Sequence, residues 1–185
     1  MKVLPRTEFG NPILRKTAKR LTKKEITSAN IQSLINNMRH TLTKEKLGVG
    51  LAALQVGEDL AIAVIAIRPL PYRPDVKVFD ATLINPKVLG THGTKKPLWE
   101  GCISSGSGEA GIFAKVPRHK SVTVKYYDET GKQNTKQFSG LAAQVAQHEV
   151  DHLNGVLFVD RVEDTKSYMT FSEYKKMRRN QSRVL

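Results

Sequence analysis

Cysteine is nearly missing from this chain: Cys102 is the single one in 185 residues. No internal disulfide can therefore support the fold, and the one thiol is left for a metal, for catalysis or for neither. Long apolar runs are missing too. The longest, Leu60 to Ile67, falls far short of the ~20 residues that a membrane-spanning helix needs. The opening Met1-Lys2-Val3-Leu4-Pro5-Arg6 lacks the apolar stretch and small-residue cleavage site of a secretory signal. These absences lead us to expect a soluble, intracellular protein in a reducing compartment, with neither a membrane nor DNA as partner. Acidic residues are scarce, 17 against 30 Lys and Arg, for a formal charge of +13. Such a surface concentrates anionic partners such as RNA, but charge spread along the chain serves solubility equally well. No repeat, biased tract or linker interrupts the sequence. One domain over residues 1–185 is the expectation, with 165–185 as a basic C-terminal tail.

What is present is patterned. Behind the candidate caps Thr27 and Ser28, the residues Ile31, Leu34, Ile35, Met38 and Leu42 recur at helical spacing, and the pattern ends before Gly48-Val49-Gly50. Leu60 to Ile67, rich in branched residues and stopped by Arg68-Pro69, predicts a buried strand, followed by a proline-rich loop to Pro74. Val76 to Val88 holds short apolar stretches interrupted by Asp80 and Asn85-Pro86. Val122, Val124 and Tyr126 alternate up to a turn at Asp128-Glu129-Thr130-Gly131 that starts a hairpin. After the candidate cap Ser139, Leu141, Val145, His148 and His152 share one helical face, Asn154-Gly155 offers the stop, and Val156 to Val159 is expected to return to strand. The fold class predicted is α+β: mostly antiparallel strands packed around a central helix, with an N-terminal helix and a C-terminal extension.

The central helix carries the strongest chemical signal, His148-Glu149-Val150-Asp151-His152. Two histidines four residues apart aim both imidazoles at a common point, the spacing a metal needs, and Glu149 then lies beside a water at that metal. Hydrogen-bonded core histidines are the plain alternative. A catalytic site of this kind has three protein ligands and one open position. Downstream candidates for the third are Glu163 and Glu173; upstream, Glu100-Gly101-Cys102-Ile103-Ser104 offers the lone thiol, which otherwise reads as a small buried hydrophobe or a nucleophile paired with histidine. A third cluster, Gly48-Val49-Gly50-Leu51-Ala52-Ala53-Leu54-Gln55, is a weak phosphate loop, since no Gly-Lys-Ser/Thr follows. By itself it reads as a turn into an apolar segment.

Together these clusters resemble the peptide deformylase family, whose motifs run Gly-apolar-Gly-apolar-Ala-Ala-x-Gln, Glu-Gly-Cys-apolar-Ser and His-Glu-x-x-His in this order. The likeness extends to Asn11-Pro12-Ile13-Leu14-Arg15, Ile84-Asn85-Pro86 and Gly155-Val156-Leu157-Phe158, and so covers nearly the whole chain. The resemblance implies hydrolytic removal of the formyl group from formylmethionyl N-termini of nascent polypeptides, with release of formate, in a bacterial cytoplasm or an organelle. It implies Cys102, His148 and His152 as ligands of one divalent metal, Fe(II) in the cell, with Zn(II), Ni(II) or Co(II) as alternatives. Glu149 becomes general base and then acid, and Gln55 and the Ile103 backbone N–H become donors to the formyl oxygen. For the methionine side chain, Leu141 and Val145 on the helical face and Val49 with Gly50 opposite are the expected pocket, although any inward helix face looks this way. After Ser104 the family continues with an apolar residue and proline, whereas this chain has Ser105-Gly106-Ser107-Gly108-Glu109-Ala110-Gly111, so the family's substrate-binding side chain there has no counterpart.

Two other readings compete. One is a protease of the His-Glu-x-x-His type with Glu173 as third ligand; the other is a basic RNA-binding module with a structural metal. The tail residues Lys175, Lys176, Arg178, Arg179 and Arg183 suggest transient ribosome contact through RNA, against a frayed, solvated terminus.

Overall fold

The computed structural model describes residues 1–45, 48–69, 76–106 and 110–181. The end of the proline-rich loop (70–74), the middle of the Ser105–Gly111 stretch (107–109) and Arg183 lie outside the described residues. Six strands form one sheet: β1 (Gly50–Ala52), β2 (Ile62–Ile67), β3 (Phe79–Gly101), β4 (Ile112–Tyr127) and β5 (Gln133–Ser139) in that order, with β6 (Met169–Thr170) added to β4. Every pairing in the sheet is antiparallel. Among the described residues four α-helices accompany it: α1 (Lys23–Ile26), α2 (Ala29–Lys44), α3 (Gly140–Leu153) and α4 (Phe171–Gln181). The α+β class and the antiparallel sheet agree with the expectation.

Strand β2 explains the architecture. Its residues are almost all buried, because both faces are covered, which turns the usual alternation into a continuous apolar run. Ile62 and Val64 pack with Ile35, Met38 and Leu42 of α2. Ile65 and Ile67 pack with Ala143, Val145 and Ala146 of α3. Each buried Ile, Val, Leu or Met among them contributes about 1.5–3 kcal/mol, and the two clusters hold α2 and α3 against the sheet.

Several local expectations are corrected. The interruptions at Asp80 and Asn85-Pro86 within Val76–Val88 do not end the strand; from Phe79 the chain runs as one strand to Gly101. Asn85-Pro86 makes a bulge rather than a break: Asn85 has φ 51°, the register slips between Ile84 and Lys87, and the Asn85 side chain clamps the Leu21 backbone on both its N–H (2.9 Å) and its carbonyl (2.6 Å). Ser28 and Ser139 stand at the N-caps of α2 and α3 without capping; Ser28 donates to the Glu25 carbonyl and Ser139 pairs with Ser121. Thr27 instead closes α1, a one-turn helix begun by a Thr22–Glu25 capping box. Val156–Val159 does not return to strand. Leu157 instead precedes a 3-10 turn, Phe158–Arg161, where the Asp160 carboxylate accepts from the Leu157 N–H at 2.8 Å. Leu157 and Phe158 are simply buried there, and a short apolar run is equally suited to either conformation. Finally, the segment read as a basic tail contains β6 and α4, which dock on the aromatic end of the β3–β4 hairpin.

Candidate metal centre and cleft

Helix α3 places His148 and His152 one turn apart, with ring centroids 4.8 Å from each other. Cys102 reaches them from the end of β3. It opens a 3-10 turn, Ile103–Ser105, whose Ser104 N–H donates to its sulfur at 3.4 Å. Cys102 Sγ lies 3.2 Å from His152 Nε2, and the ligand atoms of Cys102, His148 and His152 all fall within 4.8 Å of one another. A tetrahedral ion with bonds near 2.0–2.3 Å needs donors roughly 3.5 Å apart, so one thiol and two imidazoles fit a divalent metal. A second observation agrees: Glu149, only 2% exposed, has a buried Oε2 with no hydrogen-bond partner, an arrangement that costs about 1–3 kcal/mol unless something at the centre engages it.

Behind the histidines lies a buried ion network. Glu100 accepts both Nε (2.8 Å) and Nη2 (3.0 Å) of Arg118, and its Oε2 is 3.1 Å from His148 Nδ1. Arg118 Nη1 also donates to Asp151 at 2.6 Å, and Asp151 is held from outside by Arg161. Glu100 fixes the orientation of the His148 ring through this contact, as a carboxylate does for a histidine that could ligate a metal, and Asp151 ties the network back to α3.

The charges follow from these contacts. Burial by itself would raise Glu100, but hydrogen bonds from His148 and Arg118 overcome it and hold the carboxyl at about 2. Burial pushes Glu149 up to about 7, with the charge of His148 opposing. His152 is driven well below the ordinary histidine value, chiefly by burial, and so presents a neutral ring. Against its burial, Cys102 and Glu100 raise His148 well above the ordinary histidine value.

The centre opens into a cavity of about 720 Å³, lined by Val49, Gly50, Gln55, Leu141, Val145, His148 and Glu149 among others. Gln55 is buried and its direction is set: its Oε1 accepts the Ala52 N–H at 2.8 Å, which turns Nε2 towards Cys102 Sγ (3.3 Å) and Ser104 Oγ (3.1 Å). Gly50 lies so close to Glu149 that a Cβ there would overlap its carboxylate and meet Val145.

The model of the polypeptide deformylase family matches residues 3–168. The chain belongs to this family. A peptide deformylase of Nostoc sp. is 38% identical over 176 residues, spanning 95% of this chain and 94% of that protein. The crystal structure of a class I type b peptide deformylase from Acinetobacter baumannii, bound to Met-Ala-Ser, superposes with a TM-score of 0.80 at 34% identity, over 86% of this chain and 98% of that one. The Synechococcus elongatus peptide deformylase, in complex with actinonin, gives 0.77 at 36% identity, over 90% of this chain and 82% of that one. The activity of the chain is that of a peptide deformylase, removal of N-terminal formyl groups from nascent polypeptides. Among the described residues no helix is long and apolar enough to cross a membrane.

All three motif clusters of this deformylase meet at one cavity, with Ile103 at its edge. The third ligand of the protease reading does not come near: Glu173 is exposed on α4 and pairs with Lys176 at 2.6 Å. The sequence reading missed Glu100, Arg118 and Asp151 as a unit. Glu100 and Asp151 lie inside the motifs, where a carboxylate next to each ligand was the available signal. Arg118 comes from the opposite strand, where the register Lys96↔Arg118 and Glu100↔Ala114 has no trace in local pattern. Also missed was the aromatic group Trp99, Phe113, Phe171 and Tyr174 that lines the cavity at the α4 side.

Proposed function

We propose that Cys102, His148 and His152 hold one divalent ion and that Glu149 is the proton carrier for hydrolysis of the formamide. The observation that carries this is the convergence of the three donor atoms within 4.8 Å beside a buried, partnerless Glu149 oxygen. A bound divalent ion supplies Lewis acidity and lowers the pKa of a water towards ~7, so that a nucleophile exists at neutral pH. Glu149, with its pKa pushed up to about 7, takes the proton of the attacking water and returns it to the leaving amine, as a base and acid poised near the working pH. Gln55 Nε2 and the Ile103 N–H, the first of its 3-10 turn, donate to the oxygen on which charge develops. Losing one such donor costs about 2.7–4 kcal/mol of barrier. Leu141 and Val145 supply the apolar wall for methionine, with Val49 and Gly50 opposite. The Met-Ala-Ser peptide on the Acinetobacter relative supports a methionine-led chain as ligand.

A thiolate with two imidazoles suits borderline ions, and we assign Fe(II) in a bacterial cytoplasm, with Zn(II), Ni(II) and Co(II) as substitutes. Formate release from a formyl-Met peptide by anaerobically prepared wild type, beside Glu149→Ala, tests the reading, with metal content measured in both. Release by the wild type and near-absence in a metal-loaded Glu149→Ala is the expected result. No release from metal-loaded wild type sinks it. Transient ribosomal RNA contact through the basic exterior of α4 extends the same reading. Co-sedimentation of ribosomes with a Lys176→Glu, Arg179→Glu variant at low salt, unchanged from wild type, would remove it.

A further inference from the structure

Helix α4 ends up on the cleft rather than in solvent because its start is fastened to the tip of the β3–β4 hairpin. Met169–Thr170 pair with Ile112–Phe113, and the Phe171 N–H donates to the Gly111 carbonyl at 2.8 Å. From there Phe171, Tyr174 and Arg178 recur at three and four residues, one face of a helix, and all three line the cavity that holds His148 and Glu149. Tyr174 stacks on Phe113 with ring centroids 4.6 Å apart at 17°, and it meets Trp99 at 5.7 Å. Phe171 packs on Phe113 at 5.3 Å. Trp99, Phe113 and Tyr174 are only partly buried, so the aromatic group is a wall facing open space and not a closed core.

This wall is continuous with the catalytic centre. Gly101, paired with Phe113 across the hairpin, directly precedes Cys102, and a Cβ on Gly101 would overlap the Phe113 ring. One edge of the ring therefore sits against the backbone one residue from the thiol. Phe171 to Arg178 span about 10 Å at 1.5 Å per residue, which matches roughly three residues of extended peptide. Methionine is accounted for by the Leu141 and Val145 side of the cavity, so the wall is left for the residues that follow it.

We propose that Trp99, Phe113 and Tyr174, presented with the help of α4, form a subsite for a side chain one or two positions after the formylmethionine and select aromatic side chains there. The inference rests on the deformylase reading of the centre and adds a specificity element that the residues around the metal do not contain. Aromatic rings offered to such a wall gain edge and stacking contacts beyond simple burial.

The test compares kcat/KM for amides of formyl-Met-Ala-Ala, formyl-Met-Phe-Ala and formyl-Met-Ala-Phe, in wild type, Tyr174→Ala and Tyr174→Phe. One phenylalanine peptide should exceed the alanine peptide about tenfold in wild type and in Tyr174→Phe, and the ratio should fall to within about twofold in Tyr174→Ala. Trp99 is the sole tryptophan of the chain, so its fluorescence reads the wall without any turnover. The matching product peptide with phenylalanine should quench it saturably, and Met-Ala-Ala amide should do so only at far higher concentration. A ratio near one in wild type, or a ratio that Tyr174→Ala leaves intact, overturns the subsite. A wild type that releases no formate from any peptide overturns the deformylation reading, while the fluorescence titration still decides whether the wall binds aromatic side chains.

Discussion

Two glutamates flank the same histidine in equally buried surroundings and are put to opposite uses. Glu100, in the ion network between β3, β4 and α3, is held at about 2 by His148 and Arg118. Glu149, at the cleft end of α3, has no cationic hydrogen-bond partner and is pushed up to about 7. The first is held as an anion against the His148 ring; the second is the group proposed above to carry the proton. What separates them are the hydrogen bonds that Glu100 receives from His148 and from Arg118 and that Glu149 lacks, so burial alone assigns neither role.

This contrast can be broken by experiment. Glu149→Gln keeps the shape of the cleft and should lower formate release by ~10²–10⁴-fold with metal per chain unchanged; a loss under tenfold would put Glu149 with the structural carboxylates. Arg118→Met removes the guanidinium shared by the buried Glu100 and Asp151 and leaves them only His148 and Arg161, and urea denaturation should show a loss of about 3 kcal/mol, whereas Glu149→Gln should leave stability intact or raised. A smaller effect comes from Gly50→Ala, whose methyl would displace the Glu149 carboxylate. Its kcat should fall roughly 10²-fold, as for a misplaced catalytic group, with stability changed far less than in Arg118→Met. The smallest effect belongs to the exposed pair Arg68–Asp80, which is as short as the buried ones at 2.6 Å but about half exposed on both sides. Arg68→Ala should cost no more than about 1 kcal/mol, and less at high salt. A large loss there would mean that distance, not environment, governs these pairs.

Much of the fold was legible in local pattern. The periodicities of α2 and α3 and the apolar run of β2 each report a buried face, and a buried face is what those elements have. The errors fall where conformation depends on partners. Asn85-Pro86 reads as a break, but the Leu21 backbone takes up the Asn85 side chain and β3 continues beyond the bulge. Residues 165–185 read as a charged tail because their apolar residues are few, yet within the described part Phe171 and Tyr174 suffice to dock it once Phe113 and Trp99 stand opposite.

The candidate centre divides in the same way. His148, Glu149 and His152 were set by spacing on one helix, and Cys102 and Gln55 by the order of short motifs, because ligand geometry at a metal demands particular residue types at particular local offsets. The state of Glu149, the anchoring of His148 by Glu100 and Arg118, and the aromatic wall carried to the cleft by α4 came only from the tertiary structure. They depend on strand register, solvent exclusion and contacts between residues far apart in the chain, and Coulomb and packing forces act through space without regard to the order in which residues are joined.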